Sequence, residues 1–220
     1  MKIIISGTSG VGKSTTVKAL KKYFEAQGKE VSVLGELVVG NPYFDLYFND
    51  ITNWGFLAQL DFLVQRFDQW VKMEQSYIND KNHIVIYDRH FLEDLIFSEL
   101  KEVREAYSTN LQNAYKVVYY ELLKKVEEFQ EFEKPDFFIM LKASFDTVEQ
   151  RQFVQRGRAL EDKFDQKYWQ DLYYRYYSKS FYRKIFVDYT KNFVDIDTDN
   201  STPDEVVAKI IKYIKHRSGK

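Results

Sequence analysis

A chain of 220 residues, 45% of them hydrophobic, suits one α/β domain with a substantial core and leaves little room for a second. Its formal net charge of −1 excludes a global field that would recruit nucleic acid or an anionic membrane, so any basic site must be local. The absence of cysteine excludes disulfides and thiolate metal sites and fits a reducing cytoplasm, the expected location.

No apolar stretch has the length of a membrane span, and the first residues run straight into a strand pattern, so no signal peptide is expected. Tyr and Phe are abundant, at 17 and 18 residues, which the codon bias of an AT-rich genome explains for most of them. Five short apolar runs read as buried parallel strands, over residues 2–6, 31–35, 83–88, 137–141 and 192–197. Helical patterns between them predict a β-α-β-α alternation, an α/β fold with a five-stranded parallel sheet covered on both faces. No repeat or Pro/Ser-rich linker interrupts it, so residues 1–220 are expected to form a single domain. Ligands of such sheets sit beyond the carboxyl ends of the strands, and the residues there are the first candidates for chemistry.

After the first strand comes Gly7-Thr8-Ser9-Gly10-Val11-Gly12-Lys13-Ser14, a Walker A pattern, with a helix predicted over 15–27. Glycines let backbone N–H groups turn inward onto phosphate oxygens, and the helix points its positive end at them. Residues Gly7 to Thr15 are therefore expected to bind ATP, with Lys13 reaching the β- and γ-phosphates and Ser14 ligating Mg²⁺. Glu36 ends the second strand, where a carboxylate could take the proton of an attacking hydroxyl. Residues 54–77 carry apolar side chains at helical spacing (Phe56, Leu60, Leu63, Val64, Phe67, Val71). Gln59 and Arg66 share one face of that helix. An amide there could read a nucleobase edge, and Arg66 with Asp94 could present a fixed donor and acceptor pattern, although spacing alone fits a solvated polar face better.

The third strand closes on Asp88-Arg89, a position from which Asp88 can hold Mg²⁺ through water. Arg89 beside it could hold the Glu36 carboxylate or the acceptor oxygen, and His90 receives no role. A second long helix over about 109–132 ends before Pro135-Asp136, and its apolar stripe suits either a partner subunit or the core. A helix over 146–155 leads into Arg151, Arg156, Gly157 and Arg158 with Glu161, an arginine-rich lid over about 151–165 that could close on a transferring phosphate. The turn Asp197 to Ser201 could border the adenine or simply be a turn, and Thr202-Pro203-Asp204-Glu205 caps a last helix over 206–216.

Taken together these residues resemble the deoxyribonucleoside kinase family, in particular its bacterial deoxyadenosine/deoxyguanosine kinase branch. The likeness is carried by the P-loop, by Glu36 with Asn41-Pro42-Tyr43-Phe44 downstream, and by Trp54-x-Phe56-x-x-Gln59 leading to Arg66. Asp88-Arg89 followed by Asp94, and Arg156-Gly157-Arg158-x-x-Glu161, complete it. The resemblance implies a P-loop kinase fold, ATP with Mg²⁺, a small-molecule deoxynucleoside acceptor and a homodimer through the two long helices. It implies 5′-phosphorylation in nucleotide salvage, with a purine preferred and deoxyadenosine first. It also implies roles: Glu36 as general base, Arg89 positioning that base and the hydroxyl, and Gln59, Arg66 and Asp94 reading the nucleobase. Phe97 would stack on the base, Glu161 would hold the sugar 3′-hydroxyl, and Arg156 and Arg158 would clamp phosphate.

Departures from the family pattern carry their own expectations. Leu37 stands where the family has Pro, and Ala58 replaces an aromatic before the reading Gln, a roomier pocket that favours a purine. Phe48 stands where a Tyr would hold the 3′-hydroxyl; the neighbouring Tyr47 is turned about 100° away if the segment is helical. Arg151 lies five residues before Arg156 where the family has four. Two other functions remain open. A nucleoside monophosphate kinase such as thymidylate kinase would need an arginine after Glu36, and residues 37–41 supply none. A non-enzymatic nucleotide-binding switch would leave Gln59, Arg66 and Asp94 unexplained.

Overall fold

Strand β1 (Lys2–Ser6) holds the centre of the sheet because its side chains feed two cores. Ile4 points into one core and Ile3 and Ile5 into the other, as a period of two requires for a strand buried on both faces. The computed structural model describes residues 1–35, 42–77, 82–129, 134–154, 166–178 and 180–219. Around β1 lie β2 (Val31–Leu34), β3 (Ile84–Asp88), β4 (Phe137–Lys142) and β5 (Asn192–Asp197), all parallel, in the order β2-β3-β1-β4-β5. The same alternation recurs in β3, where Val85 and Tyr87 face one core and Ile84 and Ile86 the other.

The helices are α1 (Lys13–Glu25), α2 (Phe44–Asn49), α3 (Ile51–Tyr77), α4 (Asp94–Ser98), α5 (Lys101–Ala106) and α6 (Thr109–Glu128). They continue with α7 (Phe145–Glu149), α8 (Gln166–Ser178), α9 (Ser180–Asp188) and α10 (Pro203–Arg217). Helices α1 and α10 cover one face through Val17, Leu20, Val206 and Ile210. The other face meets α3, α6, α8 and α9 around Phe138, which stacks on Phe186 and Phe193 with ring centroids 4.6 and 5.5 Å away. Burying such a ring stabilises the fold by about 1.5–3 kcal/mol.

The expected parallel sheet with helices on both faces is the one found. The first helix begins two residues earlier than expected, because Gly12 takes a left-handed conformation (φ 102°) and lets the chain turn into helix at Lys13. The single helix expected over 146–155 is instead α7 followed by a π-helical turn, Gln150–Val154. Helices α2, α4, α5, α8 and α9 have no counterpart in the sequence reading. The buried faces of α2, α8 and α9 are largely aromatic, and the sequence reading assigns the abundant Tyr and Phe to codon bias. Residues 155–165, most of the expected lid, lie outside the described residues, as do 130–132 at the end of the expected second long helix.

One buried charge fixes the helix that matters most to the site. Glu74, near the end of α3, pairs with Lys2 of β1 and accepts a hydrogen bond from the Tyr87 hydroxyl of β3 at 2.8 Å. That pins α3 to the two central strands and so sets the angle at which Gln59 and Arg66, further up the helix, face the strand ends. Among the described residues, no helix is long and apolar enough to cross a membrane.

Candidate active site

The loop from β1 to α1 is shaped by glycine. Gly10 has φ 80°, and a Cβ there would lie 2.6 Å from the Val148 carbonyl; Gly7, at φ 135°, would meet the Leu141 carbonyl at 2.7 Å. No side chain fits either place, so the backbone can run close to β4 and α7 and turn its amides inward. Lys13, buried at the start of α1, places Nζ 2.9 Å from both the Gly7 and Thr8 carbonyls, across the mouth of the loop. The Thr8 amide donates to the Tyr177 hydroxyl at 3.2 Å, and that hydroxyl donates to the Leu141 carbonyl at 2.8 Å.

Behind the loop a polar cleft is bounded by Gly10 to Gly12, Thr15, Thr198 and Ser201. Arg151 borders it too, but its guanidinium is tied down, donating to the Thr198 carbonyl at 2.9 Å, the Thr198 hydroxyl at 3.1 Å and the Val11 carbonyl at 3.5 Å. Expected at the head of a lid, Arg151 braces the turn after β5 against the P-loop.

In front of the loop the end of β3 brings two groups together. Asp88 sits level with Ile5 of β1, is buried, and its Oδ1 has no hydrogen-bond partner. A buried, unpartnered carboxylate oxygen at the end of β3, level with the strand that leads into the P-loop, is a hard donor of the kind Mg²⁺ takes, so Asp88 fits that ion. Among the described residues, no group of three or more His, Cys, Asp or Glu gathers to hold a metal by itself. Arg89 has a left-handed backbone (φ 77°), unusual for so large a side chain. Its guanidinium lies 4.9 Å from the centroid of the Phe97 ring and donates to the Tyr176 hydroxyl. His90 is structural: its Nδ1 accepts from the Leu92 amide at 3.3 Å, and burial, then the charge of Arg66, lowers its pKa to about 3.

Beside these groups a mainly apolar chamber runs inward from Ser9 of the P-loop and Arg89, walled by α2, α3, α4 and α8. Gln59 and Arg66 of α3 and Asp94 and Phe97 of α4 all line it, the set the sequence brought forward. Arg66 pairs with Asp94 Oδ1 and lies 5.4 Å from the Phe62 ring centroid, while Asp94 Oδ2, buried, has no hydrogen-bond partner. Both Tyr47 and Phe48 reach the chamber; a turn of 100° did not take Tyr47 away, because Phe44, Tyr47 and Phe48 together form the one face of α2 that lines it. The Tyr47 hydroxyl lies 3.1 Å from that of Tyr168, and burial, followed by the Tyr168 neighbour, raises its pKa well above the ordinary value. It therefore stays protonated.

Glu36, Arg156, Arg158 and Glu161 lie outside the described residues. The sequence reading missed Tyr168, Trp169 and Leu172, which line the chamber from α8, and Glu93 and Tyr176 beside Arg89. The spacing Tyr168, Leu172, Tyr176 is a helical stripe, and it would have found α8 had tyrosine been counted as a core residue.

Known proteins agree with this geometry. The family model described as deoxynucleoside kinase matches residues 3–217. The deoxyguanosine kinase of Bacillus subtilis (strain 168) is 30% identical over 170 residues, 77% of this chain and 73% of the relative. The deoxyadenosine/deoxycytidine kinase of the same organism is 32% identical over 175 residues, 79% of this chain and 74% of the relative. The solved structure of deoxyadenosine kinase from M. mycoides with bound dATP superposes with a TM-score of 0.78 at 26% identity, covering 98% of this chain and all (100%) of that one. The same M. mycoides enzyme with bound dCTP gives a TM-score of 0.77 at 27% identity, with the same coverage of 98% and 100%.

Proposed function

The chain belongs to the deoxynucleoside kinase family and is a phosphotransferase, and we propose that it phosphorylates the 5′-hydroxyl of a deoxyribonucleoside with ATP, serving nucleotide salvage. The preferred acceptor carries an exocyclic amino group, a purine first and deoxyadenosine before deoxyguanosine. The observation that carries this reading is the chamber that opens at Ser9 of the P-loop and holds Gln59, Arg66 and Asp94 in one wall. Asp94 Oδ2 is a buried acceptor without a donor. The amino group of adenine or cytosine would supply one, as would the ring N–H or 2-amino group of guanine, and the carbonyl that thymine has in place of cytosine's amino group would not. Ala58, beside Gln59 in the sequence, stands in place of an aromatic side chain, which favours the wider purine.

In the proposed reaction the acceptor's 5′-oxygen attacks the γ-phosphorus, its proton passes to Glu36, and the bond from that phosphorus to the β,γ-bridging oxygen breaks to release ADP. Arg89 orients the hydroxyl and the base that deprotonates it. Lys13, with Arg156 and Arg158 of the lid, meets the charge spread over the transferring group. Mg²⁺, when bound by Ser14 and Asp88, would neutralise phosphate oxygens. Tyr47, Phe48 and Glu161 border the sugar, and Phe97 the base.

Incubating the protein with Mg-ATP and each of the four deoxynucleosides in turn tests the reading. Deoxyadenosine 5′-monophosphate is expected as the main product, with deoxyguanosine and deoxycytidine accepted and thymidine poor. No monophosphate from any acceptor overturns the proposed reaction; thymidine used as well as deoxyadenosine overturns the role of Asp94.

The proposal includes a homodimer through α3 and α6. Leu57 and Val64 on α3, and Val117 and Tyr120 on α6, are exposed apolar side chains, with Val117 61% exposed. The solution mass by light scattering should be twice that of the 26.4 kDa chain; a monomer at micromolar concentration would sink this part.

A further inference from the structure

Arg89 is held by a buried construction that the transfer itself does not require. It projects from a left-handed residue at the end of β3, and its guanidinium, beside the Phe97 ring, meets two polar side chains from other elements. One is Glu93, on the 3₁₀ turn Phe91–Glu93, whose Oε2 lies 3.5 Å from Arg89 Nη1. The other is the Tyr176 hydroxyl of α8, which accepts from the same Nη1 and donates to the same Oε2 at 2.8 Å. The second carboxylate oxygen, Oε1, accepts from the His90 amide at 3.1 Å, which ties Glu93 to the turn's own backbone. Glu93 is 0% exposed and Tyr176 and Arg89 are 4% and 5% exposed, so no water competes for these bonds.

A guanidinium on a flexible stem has many rotamers to lose, and a reacting hydroxyl needs its donor in one place. We infer that Glu93 and Tyr176 are positioning residues for the acceptor half of the site. Their closed triangle with Arg89, laid over the Phe97 ring, fixes the guanidinium where it meets the attacking hydroxyl. The inference rests on the reading of Arg89 given above. It also assigns a task to α8: Tyr176 sets the acceptor arginine, and the next residue, Tyr177, steadies the P-loop through Thr8. The two halves of the site are thereby referred to one helix.

The test is steady-state kinetics with Mg-ATP and deoxyadenosine on Tyr176→Phe, Glu93→Gln, Arg89→Lys and the double variant Arg89→Lys/Tyr176→Phe, alongside thermal unfolding. Tyr176→Phe removes one hydroxyl and keeps the ring, so it stays interpretable even if Glu93→Gln fails to fold. Tyr176→Phe should lower kcat about tenfold to a hundredfold with KM for ATP within about twofold of wild type, and Glu93→Gln should do the same. In the Arg89→Lys background, where a single ammonium cannot hold Tyr176 and the acceptor together, Tyr176→Phe should cost less than about twofold more. Wild-type kcat in Tyr176→Phe overturns the inference. So does an undiminished loss when the substitution is repeated on Arg89→Lys, since the hydroxyl would then act on something else. Full activity in Arg89→Lys is a separate result, and it removes the role of Arg89 on which the inference stands.

Discussion

Replacing Lys13 by Met should reduce kcat/KM for ATP-dependent phosphorylation by about 10³-fold while the protein stays folded. The ammonium is buried, and its Nζ lies 2.9 Å from the carbonyls of Gly7 and Thr8, so its position is set by the loop rather than by solvent. A phosphoryl group in transfer spreads negative charge over its equatorial oxygens, and a fixed cation in a site poor in water stabilises that charge without reorganising. Methionine keeps most of the stem's volume and loses the charge. Two loop carbonyls lose a donor, at about 1–3 kcal/mol each if they stay buried and unpaired. Binding of ADP, followed by calorimetry, should weaken far less than turnover, because the backbone amides of the loop remain. A variant that keeps kcat within tenfold of wild type would show that the transferring charge is met elsewhere.

The sheet was open to reading because its strands are buried on both faces: Ile3-Ile4-Ile5 and Phe137 to Leu141 are unbroken apolar runs, and nothing but a central parallel strand uses them so economically. The P-loop was equally legible, since its chemistry lies in eight consecutive residues whose backbone conformations demand glycine. Gln59 and Arg66 could be placed on one face by their spacing of seven, and Asp94 of α4, expected beside them, is brought to Arg66 by the fold.

Other parts of the site were closed to that kind of reading. Glu93 and Tyr176 are 83 positions apart and meet only because β3 and α8 converge on the same strand end. Helix α8 itself was hidden by its composition: Tyr168, Trp169, Leu172 and Tyr176 are buried, yet three of the four carry a polar atom that must find a partner. Tyr47, Tyr168, Tyr176 and Tyr177 each use the hydroxyl in a bond at or beside the site, so codon bias does not account for them.

The largest change in specificity should come from Asp94→Asn. Arg66 has only donors, and it faces one oxygen of residue 94 in a buried pair. An asparagine must therefore turn its carbonyl toward Arg66, and its NH₂ group then occupies the place of Oδ2, the atom that has no partner in the wild type. The chamber wall changes there from acceptor to donor. Opposite an exocyclic amino group two donors would confront each other. Opposite the carbonyl of thymine a hydrogen bond becomes possible. The kcat/KM for deoxyadenosine should fall by about 10²- to 10⁴-fold, and the ratio of thymidine to deoxyadenosine should rise by at least as much. Competition between the two acceptors in one reaction measures that ratio directly and cancels any loss of folded protein. Asp94→Ala provides the contrast, since it strips the acceptor without adding a donor and leaves Arg66 uncompensated. It should lose deoxyadenosine activity without gaining thymidine. If Asp94→Asn leaves the ratio unmoved, the wall formed by Arg66 and Asp94 does not touch the base, and the chamber reads its acceptor through Gln59 and the aromatic side chains alone.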